Sequence, residues 1–214
     1  VEPARKQRDG ADTRGKEKRP NIILILILIT LAAILIYKTN IEPSRANYAT
    51  TRAIIAGRSG DAQRALTKYK EALSYKSSQG KYEIRHKLAT FVFQIEHNLR
   101  KNNKHVNREL LNYVMEEVKK NIEDHPLDYI PYLYVGRMYI ILIGQEPNAG
   151  EMAETYIGQA VAINPRNPRI WYELGQARLS QKKFDSAAAA FKKALELNPN
   201  VRESNWFLGM AYAQ

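Results

Sequence analysis

The chain has no cysteine, which removes a thiol nucleophile, a disulfide framework and thiolate metal sites from consideration and leaves the compartment open. Its four histidines, His86, His97, His105 and His125, show no paired metal-ligand spacing on a helix. No glycine-rich phosphate loop occurs and no Ser–His–Asp set can be argued from order or spacing, so neither catalysis nor a cofactor is expected. Acidic charge is also scarce: 33 Lys/Arg stand against 22 Asp/Glu, a net charge of +11. Seven of those bases and four of those acids lie in residues 1–20, so the remainder still carries +8, spread along the chain beside opposite charges. Nucleic-acid binding would require a clustered basic patch with aromatic or base-reading residues. None is visible, so no nucleic-acid partner is expected and the surplus reads as a solvated helix surface.

What is present is a repeat. Pro126, Pro165 and Pro199 are each followed ten residues later by Gly136, Gly175 and Gly209, at intervals of 39 and then 34 residues. In the clearest copy, Trp171, Leu174 and Gly175 share one helix face at spacings of three and four, and Ala187, Phe191 and Ala194 share another. Gly175 and Ala187 are expected where two antiparallel helices cross closely, with Trp171 and Phe191 filling the space on either side. Pro199 is expected to stop the second helix and open the next, because proline lacks the amide hydrogen of an interior turn. The preceding copy reads Tyr132, Val135, Gly136 and Tyr139, then Ala153, Ile157 and Ala160, with Gly144 to Asn148 as a turn that holds the five extra residues.

These residues resemble the tetratricopeptide repeat. Arg178 departs from the pattern at a position where the neighbouring copies keep Tyr139 and Tyr212. Ala53, Ala65, Tyr69 and Ala72 repeat the spacing more weakly around Gly60-Asp61, since Ala49 and Arg52 replace the Trp and Leu. Residues 80–123 read as a divergent pair of longer helices, with Ile84, Leu88, Phe91, Val92 and Ile95 on one and Leu110, Leu111, Val114, Val118 and Ile122 on the other. The expected fold is therefore all-α: one amino-terminal transmembrane helix followed by a solenoid of helical hairpins.

The transmembrane expectation rests on Ile22 to Tyr37, sixteen uncharged residues interrupted only by Thr30. At about 1.5 Å per residue the run reaches about 24 Å, short of a ~30 Å hydrocarbon core, and Asn21 and Lys38 can extend it at the interfaces. A buried core helix or strand is the competing reading, but Ile and Leu occupy every face where a solenoid helix needs a polar one. A secretory signal fits less well, because no small-residue cleavage pattern precedes Lys38. Residues 1–20 hold seven Lys/Arg, whereas the twenty residues after Tyr37 hold only Lys38, Arg45 and Arg52. That asymmetry is expected to place the amino terminus in the cytoplasm and the repeats on the far side of the membrane, with the basic segment drawn to anionic lipid. The expected organisation is a basic, disordered segment at 1–20, a membrane helix at 21–38, divergent hairpins at 44–125 and repeats at 126–214.

The chain opens on Val1 and stops at Gln214 inside the first helix of a new repeat, so the sequence is expected to be a piece of a longer protein. A basic segment, one membrane helix and an outer repeat array resemble the carboxy-terminal part of bacterial O-antigen ligase and polymerase-like membrane proteins with tetratricopeptide tails. The resemblance is carried by Asn40 to Ala46, Glu83 to Ala89 and the Pro165 to Pro199 repeat, of which only the repeat is specific. It implies a role in envelope polysaccharide assembly with the catalytic domain upstream of Val1, and no catalytic residue of this chain. The alternative is a single-pass scaffold with no enzymatic parent. A cytosolic co-chaperone is disfavoured by the apolar run and by the lack of Lys and Asn pairs that would clamp a terminal carboxylate. In either remaining case a protein or peptide is the expected partner. The inner helices would present Leu133, Ile140, Trp206, Met210 and, as the favoured binding residues, Arg137, Arg169, Tyr172 and Gln176.

Overall fold

The computed structural model describes residues 21–76, 80–200 and 202–213, so the expected basic segment at 1–20 lies outside them. Every regular element among the described residues is helical. α1 (Ile22–Ile36) starts on Asn21, whose side chain accepts from the Ile23 and Leu24 amides. Thr30, the one polar residue of the run, returns its hydroxyl to the Leu26 carbonyl at 2.9 Å. No residue of α1 is buried, so the core-helix reading fails within the described structure.

α1 does not end before the repeats begin. It passes through a π turn (Tyr37–Ile41) into α2 (Glu42–Arg58), giving one helix of 37 residues. The π turn has a local cause in Pro43, which has no amide hydrogen and crowds the carbonyl four residues back. Widening the ladder, as in the Glu42 amide bonding to the Tyr37 carbonyl five residues back, lets the helix continue past it.

The remaining helices are α3 (Ala62–Ser74), α4 (Lys81–Arg100), α5 (Arg108–Asp124), α6 (Tyr129–Leu142), α7 (Ala149–Ile163), α8 (Pro168–Ser180), α9 (Phe184–Leu197) and α10 (Arg202–Tyr212). Each packs on the next, α8 also touches α6 and α10, and α2 touches α4, which makes the even-numbered helices one wall of a solenoid. The weak first copy is a true hairpin: Ala53, Ala65, Tyr69 and Ala72 are all buried between α2 and α3. Its turn uses Gly60 at φ +84° and Asp61, whose side chain caps α3 at the Arg64 amide.

The glycine positions close the hairpins, with a correction to the pairing. A Cβ on Gly175 would stand 2.5 Å from the Phe191 ring, and one on Gly136 would stand 2.4 Å from Ile157. The side chain lying on the glycine is thus Phe191 or Ile157, one helical turn beyond Ala187 or Ala153, and the Ala153 carbonyl would also lie 3.3 Å from such a Cβ on Gly136. The prolines also act differently from expectation. Pro165 and Pro199 lie in the turns beyond Ile163 and Leu197; α8 is opened by Asn167, whose side chain accepts from the Arg169 amide, and by Pro168. Pro165 instead offers its carbonyl to Trp171 Nε1 at 2.7 Å, and Pro126 does the same for the Tyr132 hydroxyl at 3.3 Å. The aromatic six residues after each of Pro126 and Pro165 is therefore fixed to the turn that precedes its helix. Gly209 faces open space, having no side chain within 4 Å.

Candidate functional site

The four residues expected to bind a partner come together. Arg137 on α6 and Arg169, Tyr172 and Gln176 on α8 line one cleft of about 270 Å³, with Phe93, Glu96, His97 and Arg100 of α4 opposite and Ile140 and Ile141 beside them. They form one network around a carboxylate absent from the expectation. Glu173 is only 3 % exposed, accepts from Arg169 Nε at 2.9 Å and forms an ion pair with Arg137 at 3.2 Å. Both guanidiniums also lie over rings, Arg137 over Phe93 at 4.2 Å and Arg169 over Tyr172 at 5.0 Å. The arginines are thereby held in fixed orientations, which lowers the side-chain entropy that binding a partner would cost.

Tyr172 is not the open groove residue the helical phase predicted. Its ring is buried against Phe191 and Phe207 and beneath Arg169, and its oxygen accepts from Gln176 Nε2 at 2.7 Å. Burial, with Glu173 adding to it, pushes the phenol up to about 12, so this oxygen stays protonated and can donate to an incoming acceptor. Of the other inner-helix residues, Ile140 lines the cleft, Leu133 is buried, and Trp206 and Met210 lie on α10 outside the cleft lining.

Sequence reasoning missed Glu173, although its place four residues after Arg169 was a readable ion-pair signal. It also missed the α4 wall, for which no repeat register was available. That wall has a buried carboxylate of its own. Glu96 accepts from Arg100 at 3.0 Å, His105 at 2.9 Å and the Val106 amide at 2.8 Å, tying the loop after α4 to the helix. Burial alone would raise its pKa, but these donors outweigh it and hold the carboxyl below its ordinary value. With Glu96 and Glu173 occupied internally, what faces the cleft is the outward side of three arginines beside apolar Ile140 and Phe93. That surface suits an extended segment carrying acidic and apolar groups. Among the described residues no group of three His, Asp or Glu is placed to hold a metal ion, and the histidines lie apart. His86 meets the Tyr134 hydroxyl, His125 packs edge-on to Tyr82, His97 lines the cleft and His105 joins Glu96.

Arg178, the departure from the repeat pattern, has an explanation. It donates to Glu154 of α7 at 2.8 Å and to the Ser186 carbonyl of α9 at 3.2 Å, joining three helices with a polar contact where the pattern has an aromatic. Lys183 adds a second cation to Glu154 at 2.7 Å.

Stacked helical hairpins closed by a glycine against a large side chain define a solenoid of the protein-interaction class. Residues 168–201 match the tetratricopeptide repeat family model, so the chain carries a tetratricopeptide repeat there. No curated protein matches it. Among solved structures, a crystal structure of the MamA protein superposes with a TM-score of 0.61 at 20% identity, covering 79% of this chain and 81% of that one. A second MamA crystal structure gives 0.58 at 21% identity over 75% and 82%. MamA from Desulfovibrio magneticus gives 0.57 at 18% identity over 79% and 84%. At these identities the likeness is one of fold alone.

Proposed function

We propose that this chain is a membrane-anchored tetratricopeptide module that binds an extended, acidic peptide segment of a partner protein across α4, α6 and α8. The observation that carries the reading is the cleft itself, where Arg100, Arg137 and Arg169 are fixed by internal carboxylates and rings yet keep one side toward the opening. Anchoring is supported by α1, an apolar helix with every side chain exposed, and by the basic residues 1–20, which would attract anionic lipid. The Lys/Arg asymmetry favours a cytoplasmic amino terminus and an outer repeat array. The narrower reading, the tail of an O-antigen ligase or polymerase-like protein in envelope polysaccharide assembly, draws its support from the sequence resemblance, and the single-pass scaffold is its alternative.

The binding reading is tested by selecting from a displayed peptide library with the full chain in nanodiscs and with Arg137→Ala/Arg169→Ala. Acidic sequences enriched by the first and lost by the second are the expected result; equal enrichment by both would refute the groove. Topology is tested separately with single cysteines, which the native sequence permits. Gln63→Cys should react with an impermeant thiol reagent on spheroplasts and Thr13→Cys should not. For the narrower reading, deleting residues 44–214 in the host should reduce surface glycan; unchanged glycan favours the scaffold.

A further inference from the structure

A second cleft, of about 570 Å³, opens where α1 passes into the first hairpin, lined by Asn40, Ile41, Ser44, Arg45, Tyr48 and Tyr75. Five of these residues stand on successive turns of the one continuous helix. The sixth is brought in from the end of α3, because the Lys76 amide donates to Glu42 Oε1 at 2.7 Å and fastens the α3 exit to the start of α2. Tyr75 packs partly on the core, while Ile41 and Tyr48 stay 46% and 67% exposed. Large apolar side chains are thus left open beside a guanidinium, an amide and a hydroxyl. Among the described residues the lining contains no acidic residue.

The position of this cleft follows from helix geometry. α1 has 15 residues, about 22 Å, so centred in a ~30 Å hydrocarbon layer it leaves about 4 Å of hydrocarbon beyond each end. Ile41 then lies about 4 Å outside the hydrocarbon edge and Arg45 about 10 Å outside it, against a headgroup layer of about 5–8 Å. Helical side chains lean toward the helix amino terminus, so Ser44, Arg45 and Tyr48 point back toward the membrane. Since no flexible linker intervenes, the cleft is held at that depth rigidly.

We infer that this cleft binds the headgroup of an anionic phospholipid, with Arg45, Ser44 and Asn40 on the phosphate and Ile41, Tyr48 and Tyr75 against the glycerol and upper acyl chain. The inference rests on the reading of α1 as a membrane span. Such a lipid would fix the tilt of the whole repeat array, because the array has no independent hinge to α1.

The experiment uses the full chain, reconstituted in nanodiscs of phosphatidylcholine with phosphatidylglycerol, and native mass spectrometry of what it retains on release. Retention of phosphatidylglycerol over phosphatidylcholine is expected, falling about tenfold in Arg45→Gln and unchanged in Arg58→Gln at the far end of α2. Both arginines are accessible, and circular dichroism of each variant checks that the fold is intact. Equal retention of the two lipids, or selectivity that survives Arg45→Gln, would overturn the inference. Lipid-free dimers dissociated by Tyr48→Ala would also overturn it, assigning the cleft to a second copy. Failure of the chain to float with vesicles of either composition would instead remove the membrane span itself.

Discussion

The hairpins α6–α7 and α8–α9 close differently from α4–α5. In the first two, a glycine on one helix receives a large side chain from the other, Gly136 under Ile157 and Gly175 under Phe191. Between α4 and α5 no glycine is present, and Arg85 is buried instead, donating to Asn121 and Asp124 at 3.0 Å each and lying 3.4 Å from Glu117. Asn121 in turn donates to the Tyr82 carbonyl, and the Tyr82 hydroxyl donates to Asp128 at the start of α6. A steric closure depends on small and large residues at fixed places. A polar closure depends on partners 32 to 39 residues apart that need only reach one another. The first leaves a period in the sequence and the second leaves none.

The largest expected effect is on the steric side. Phe191 is fully buried, so Phe191→Ala should destabilise α8–α10 by about 3–5 kcal/mol, read by urea unfolding of the full chain in detergent. Because a solenoid unit contacts only its neighbours, hydrogen exchange in α2–α5 should change little. Protection lost equally throughout would show that both closures belong to one cooperative unit.

On the polar side, Arg85→Met should cost about 2–3 kcal/mol, below the full penalty for a broken buried pair because Asp124 remains open to water. Adding Glu117→Met, which removes the carboxylate left behind, should restore part of that loss. If Arg85→Met costs no more than Lys87→Met at the surface, the network contributes nothing and the contrast between the hairpins collapses.

This contrast also explains what could be read in advance. The period of Pro126, Pro165 and Pro199 was enough to place α6 to α9, and the four residues expected to bind a partner converge on one cleft because they share that register. The α4 wall was hidden, since Phe93 and Arg100 belong to a hairpin whose closure is polar. Ile84, Leu88 and Val92 revealed that α4 is amphipathic, but Arg85 and Glu96 on its buried side look like surface charges in a sequence. Helical phase likewise identified Tyr172 without revealing that α10 would cover its ring through Phe207. The run through Pro43 was unreadable for another reason: proline ordinarily marks a boundary, and here a π turn absorbs it.

A smaller effect tests whether the steric hairpins also lean on charge. Arg178→Tyr restores the aromatic of the repeat pattern and removes the donor that joins Glu154 to the Ser186 carbonyl. Lys183 remains on Glu154 and both groups are partly exposed, so a loss of only about 1 kcal/mol is expected by urea unfolding. Stabilisation instead would make the ion pair dispensable and leave α8–α9 a purely steric closure.

The smallest effect is local and set by pH. Glu96 is nearly inaccessible and Glu154 a quarter exposed, yet donors hold both carboxyls below their ordinary value near 4.5. A depressed folded-state pKa means that each contributes its full stability above that value and loses it as the pH falls through the lower, folded-state value. Protonating Glu96 should weaken its hold on Arg100, His105 and the Val106 amide together, because one carboxylate serves all three. Protonating Glu154 should loosen only the side chains of Arg178, Gln181 and Lys183. Amide protection factors, corrected for intrinsic exchange, should therefore fall at Val106 as the pH drops below the ordinary carboxyl value of 4.5 while holding along α8, whose amides bond within the helix. Glu96→Gln should have low Val106 protection at every pH and no acid step. A step of equal size along α8, or one that survives in Glu96→Gln, would mean that acid acts on the whole solenoid and that the polar hairpin has no separate latch.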